Sequence, residues 1–115
     1  RAFDLIRLFE GRGKLTASGP DAIPKTPWDL VINGLSSGWQ ESFPDIAIPA
    51  LAATASAYDL IYSDQPTAFI QWSDNRGFKK TSDGLGMLIE QAADSYAIWH
   101  GERPETAGVL ADLRT

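Results

Sequence analysis

Cysteine is absent from this 115-residue chain, which removes disulfides, thiolate metal sites and thiol nucleophiles from consideration. Histidine occurs once, as His100, so a histidine-rich metal centre is excluded and any triad has to be built around that residue. No apolar run approaches the roughly 18 residues of a membrane span, and no signal-peptide pattern opens the chain. Lysine and arginine are missing altogether from residues 26–75. Net charge is −5 and the pI about 4.6, a balance that argues against nucleic acid, whose phosphates require clustered cations. The compartment is left open. A start at Arg1 rather than at methionine reads as a processed product or an excised domain.

Other features belong to a folded chain. Hydrophobic residues make up 43% and charged residues 22%, close to globular averages and outside the disordered range. A length of 115 residues fits one domain with one core. The cation-free middle segment holds Trp28, Trp39 and Trp72 and six carboxylates, whereas residues 1–25 carry five cations and three acids. It is either rich in core or an acidic and aromatic surface for a basic partner or a second copy.

Helical periodicity is clearest near the end, where Leu85, Leu88, Ile89, Ala92, Tyr96 and Trp99 recur at intervals of three and four. The spacing predicts a helix over 83–100, stopped by Gly101, and Pro104 suits the first turn of a short closing helix through Leu113. Thr26-Pro27-Trp28-Asp29 supplies a cap and a first-turn proline, which predicts a second helix over 27–36. Pro49, the stripe Leu51, Ala55, Tyr58, Ile61 and Tyr62, and intervening alanines predict a third over 49–62. Ala2–Glu10 reads as part of a further helix. The glycine-, proline- and serine-containing stretch 11–25 reads as a flexible loop.

Only residues 67–80 have β character. Thr67-Ala68-Phe69-Ile70-Gln71-Trp72 is β-prone, Ser73–Gly77 is turn-like, and Phe78-Lys79-Lys80 returns, which predicts a hairpin. The expected class is α+β, a mostly helical single domain over 1–115 with one β-hairpin. An all-α bundle with an irregular connection is the alternative.

Chemistry is harder to find. Gly11-Arg12-Gly13-Lys14-Leu15-Thr16 has the glycines and lysine of a phosphate loop, but Leu15 separates Lys14 from Thr16 and no strand–loop–helix context surrounds it. His100 lies at a predicted helix end, where the dipole favours an imidazolium. A hydrolase would need Glu102 to orient it and Ser36 or Ser37 as nucleophile. The carboxylates fix no pair separation for acid–base work and no calcium-loop spacing. No catalytic set, cofactor site or metal site follows.

What remains is interface material. Trp39 stands in an otherwise polar loop, as interface anchors do. Glu41, Asp45, Asp59 and Asp64 supply acid, while Arg76, Lys79 and Lys80 form a patch of opposite sign. These eight residues are the expected binding surface for a protein partner or self-association. The function expected is a noncatalytic protein-binding or assembly domain, and an enzyme is the less favoured class. A small-molecule regulatory domain with Tyr58, Tyr62, Trp72 and Trp99 around its pocket is the alternative, and a hydrolase centred on His100 the third.

Overall fold

The computed structural model describes residues 1–35, 42–44, 46–48 and 50–114. Its elements run α1 (Ala2–Leu8), β1 (Trp28–Asn33), β2 (Leu51–Asp59), α2 (Ala68–Asn75), β3 (Lys80–Ser82), α3 (Leu85–His100) and α4 (Ala107–Leu113), with a short 3₁₀ turn at Pro20–Ala22. The α+β class is as expected, with four helices beside a three-stranded sheet in the order β1-β2-β3. Both strand pairs are parallel. Parallel neighbours need long crossovers, and α2 makes the one between β2 and β3.

The two middle helices expected from proline and alanine are strands. Trp28-Asp29-Leu30-Val31-Ile32-Asn33 is too short to show a helical period. Its β-branched and aromatic residues settle into β1 once β2 lies alongside, with Asn33 paired to Asp59. In β2 the burial decides. Ala55, Ala57 and Asp59 are buried at every second position, the period of a strand rather than a helix. The alanines that raise helix propensity serve here as small side chains on the central strand, where Phe69 and Phe78 complete the core.

The expected hairpin is replaced by α2 and β3. Thr67 is the N-cap of α2, its Oγ1 accepting from the Ile70 amide at 3.2 Å. The turn chemistry at 73–77 becomes a helix C-terminus, with Gly77 at φ +84°, a left-handed conformation that glycine adopts without strain. The strand that follows is Lys80–Ser82 rather than 78–80, and it pairs parallel to β2 through Ser56–Lys80, Ala57–Thr81 and Tyr58–Ser82. Phe69 belongs to an aromatic cluster in which Phe43 meets it edge-on at 5.0 Å and Trp72 stacks at 5.6 Å, geometries favoured by the ring quadrupoles.

The ends of the chain follow the sequence more closely. α3 covers Leu85–His100 and stops at Gly101, φ +79°. α4 starts at Ala107, after Pro104 rather than on it. α1 has no buried residue, and its Phe3, Leu5 and Leu8 are exposed, as is Phe9 at its C-cap. Among the described residues no helix is long and apolar enough to cross a membrane.

Candidate functional site at the carboxyl ends of the strands

In a parallel sheet, all strands present their carboxyl ends on one side, and the helices that follow them begin there. In open α/β sheets this end is where ligands bind. β2 runs into the loop before α2, and β3 into the turn before α3, so the N-termini of both helices lie at that end.

The centre of this end is a buried polar network. Asp59, the last residue of β2, is fully buried. Its Oδ1 accepts from Asn33 Nδ2 at 3.0 Å and from the Ile61 amide at 3.1 Å, while its Oδ2 accepts from Thr67 Oγ1 at 2.5 Å. Asn33, at the end of β1, in turn accepts the Leu35 amide on Oδ1 at 3.1 Å. Its main-chain carbonyl accepts the Leu60 amide at 3.0 Å. One carboxylate thus connects two strand ends to the cap of α2. Burying a charge is costly unless its lone pairs are satisfied, and here both oxygens are used.

α3 meets the same segment by close backbone contact. Gly84 donates its amide to Ile61 O at 3.0 Å. A Cβ at position 84 would lie 2.3 Å from Leu60 O, closer than any real side chain sits. Glycine is required there by space, since its φ of −79° suits any residue. Leu60 and Ile61 are therefore held by Asn33, Asp59 and Gly84 together. Beside it, a cavity of about 520 Å³ is lined by Ser63, Asp64, Thr67, Ser82, Asp83 and Arg114 among others. Arg114 Nη2 donates to Asp83 Oδ1 at 2.5 Å across its rim.

The residues expected to bind a partner are dispersed. Trp39, Glu41 and Asp45 lie outside the described residues. Asp59 is interior, Asp64 is exposed on the loop after β2, and Lys79 and Lys80 are exposed at the start of β3. Arg76 is the C-cap of α2, with its guanidinium 5.5 Å from the centre of the Trp72 ring. That cavity is not lined by Tyr58, Tyr62, Trp72 or Trp99; Trp72 packs against the core cluster, while Trp99 is 76% exposed. His100 is exposed and lies against Tyr96, ring centres 4.2 Å apart. Among the described residues no group of acids and histidine is placed to hold a metal ion.

Residues 84–114 match the family described as the Shikimate 5'-dehydrogenase C-terminal domain. Along nearly the whole chain, 114 residues are 47% identical to a protein of Alkalilimnicola ehrlichii, covering 99% of this chain and 42% of the relative. A Marinobacter nauticus protein is 44% identical over 118 residues, covering 100% and 42%, and one from Thioalkalivibrio sulfidiphilus 41% over 114, covering 99% and 42%. All three are named shikimate dehydrogenase (NADP(+)). The matched proteins are enzymes. The chain spans about 42% of the length of these shikimate dehydrogenases.

This similarity overturns the expectation of a noncatalytic acidic binding or assembly domain, and with it the regulatory-domain and hydrolase alternatives. The error has a physical source. Of the two readings of the cation-free segment 26–75, core or acidic contact surface, the expected function rested on the second, whereas that segment supplies β1, β2, α2 and most of the core, where lysine and arginine are rarely buried. Asn33, Thr67 and Gly84 were missed as site residues. Thr67 carried a signal, a threonine three residues before Ile70 at a helix start. Gly84 carried a weaker one, a glycine just where a helix should begin. Asn33 carried none without the strand pairing.

Proposed function

We propose that this chain is the C-terminal part of a shikimate dehydrogenase that uses NADP+, and that the carboxyl ends of β1–β3 form part of its cofactor crevice. The observation that carries this reading is the 47% identity sustained over 114 residues with a protein of that name. The parallel sheet supports it, because dinucleotides are bound at strand ends from which helices begin.

The residues present fit such a ligand. Gly84 lets the start of α3 lie directly on Leu60, so backbone rather than side chain forms that wall of the crevice. Leu60–Tyr62 and Gly84 would hold one side of the cofactor. Bound NADP+ would accept a hydride from the alcohol carbon as the hydroxyl proton leaves to a base. Asp59 is unsuited to be that base, since its two oxygens are engaged by three donors and shut away from solvent. His100 is unsuited by position, at the far end of α3 from Gly84. Within this chain the described groups bind and orient.

The test is an assay of the whole protein carrying this chain. Shikimate with NADP+ should give saturable reduction of the cofactor, faster than with NAD+ or with an alcohol of unrelated shape. Absence of turnover with shikimate under conditions where the protein is folded overturns the reading. A protein partner or second copy would accompany this activity rather than replace it, on exposed apolar side chains such as Leu30, Ile32, Ile98 and Trp99. Sedimentation of the same preparation tests that association.

A further inference from the structure

We infer that Asp59 is a positioning residue for the cofactor, acting through the backbone of Leu60–Tyr62. The inference rests on the reading of the crevice as an NADP+ site and goes beyond it by assigning a role to a buried carboxylate that touches no ligand.

The chemistry of the network is unusual for a purely structural role. All three donors to Asp59 are neutral: an amide side chain, a main-chain amide and a hydroxyl. A buried carboxylate without a cation is an expensive way to join two strands, and apolar pairs of similar volume generally do as well or better for stability. What a carboxylate offers is several acceptor sites on two oxygens in a fixed plane. Asp59 uses them on partners from three different elements: β1, the loop after β2, and the cap of α2.

Each bond fixes backbone at the strand ends. Ile61 N is held directly, and Leu35 N through Asn33. Thr67 is held while it caps α2, since its oxygen donates to Asp59 and accepts from Ile70 N. The intervening Leu60 is clamped by Asn33 O on one side and by Gly84 on the other. Loops at strand ends are ordinarily mobile, and a mobile wall would lose affinity to the entropy of ordering it on binding. Asp59 removes that cost beforehand.

Asp59→Asn separates position from shape. Asparagine leaves Asn33 and Ile61 a neutral oxygen, a weaker acceptor than a carboxylate, and its amide cannot accept the Thr67 hydroxyl proton. Thr67→Val removes the same bond from the other side, and Thr67→Ser preserves it. In the whole protein, Asp59→Asn and Thr67→Val should each raise the KM and Kd for NADP+ by about tenfold, the scale of one lost charge-assisted hydrogen bond. The KM for shikimate should stay within about twofold, and Thr67→Ser should match the parent on all three, because the hydroxyl is what the network uses. Amide exchange at Leu35 and across 60–62 should quicken in Asp59→Asn, with exchange in the later turns of α3 unchanged.

Cofactor constants within twofold of the parent in both impaired variants, with only thermal stability lowered, would overturn the positioning role and leave the dehydrogenase reading intact. An equal rise in the KM for both substrates would overturn it too. A parent protein that does not bind NADP+ overturns the functional reading, and the cofactor role of Asp59 falls with it; that outcome is identified by the parent alone, before any variant is compared.

Discussion

The two halves of α3 are held in place by different physics. At its start, Gly84 lies against the carbonyl of Leu60 with no room for a methyl group, next to the buried Asn33–Asp59–Thr67 network. Further along, Arg103 folds back from the chain after the helix to bind Glu90 and Asp94 at the surface, with Nε 2.9 Å from Asp94 Oδ1, and Thr106 donates to Glu90 at 2.7 Å. The first contact excludes water and has one geometry. The second is a solvated clamp of long side chains. Exposed ion pairs gain little because water screens them and side-chain entropy opposes them, whereas a tight backbone contact has nowhere to relax. Precision in this molecule is therefore concentrated at the strand ends, where the function is proposed.

The largest effect expected from breaking that contrast is at Gly84. Gly84→Ala forces a Cβ onto a main-chain oxygen and should cost about 3 kcal/mol or more, the upper range for overpacking. Gly86, two residues on and inside the helix, has open space around it. Gly86→Ala should stabilise by roughly 0.5–1 kcal/mol through helix propensity alone. Denaturant midpoints of the two variants should move in opposite directions. A shift of the same sign and size in both would show that the approach to Leu60 is not tight.

The same contrast explains what could be read from the amino-acid order. α3 was legible because its evidence is local: an apolar stripe, then Gly101. α1 and the closing helix were legible for similar reasons. β1 and β2 were not, because their identity is decided by pairing with each other across a gap of some twenty residues, and Ala52, Ala53 and Ala57 carry helix propensity that the sheet overrides. The β-prone run at Phe69–Trp72 became helical because Thr67 caps it and Phe69 is needed against Ala55 and Ala57. At the site, Asp59 was noticed as an acid but assigned to a surface. Its real environment depends on Asn33 and Thr67, which only the parallel register brings to it. The acids and tryptophan singled out at 39, 41 and 45 lie beyond the described residues.

A smaller effect belongs to the surface clamp. Arg103→Met keeps the side-chain stem and removes the charge. Its melting temperature should fall much less than that of Gly84→Ala, and the difference from the parent should fade in ~1 M salt, where the screening length shrinks to about 3 Å. A loss as large as at Gly84, insensitive to salt, would abolish the distinction between the two halves of the helix.

The smallest effect is a matter of pH. The Glu90 carboxyl is held below its ordinary value of 4.5, first by the Thr106 hydroxyl and next by the Arg103 guanidinium, against a weaker opposing effect of desolvation. A carboxyl whose folded pKa is depressed binds its proton less readily in the native state than when unfolded. Its stabilisation is therefore complete above the unfolded pKa and is lost as pH falls through the folded one. Glu90→Gln should lower the melting temperature slightly at neutral pH and lose that difference in acid, below the native pKa of Glu90. Carboxyl chemical shifts offer the direct measurement: Glu90 should titrate below 4.5 in the parent, and Thr106→Val and Arg103→Met should each raise that midpoint, since both partners lower it. A midpoint unmoved by Thr106→Val would leave the clamp governed by charge alone. With both contributions present, a neutral hydroxyl engages Glu90 even at the surface, as Thr67 engages Asp59 in the interior, and the two ends of α3 differ in solvent exposure more than in the kind of bond they use.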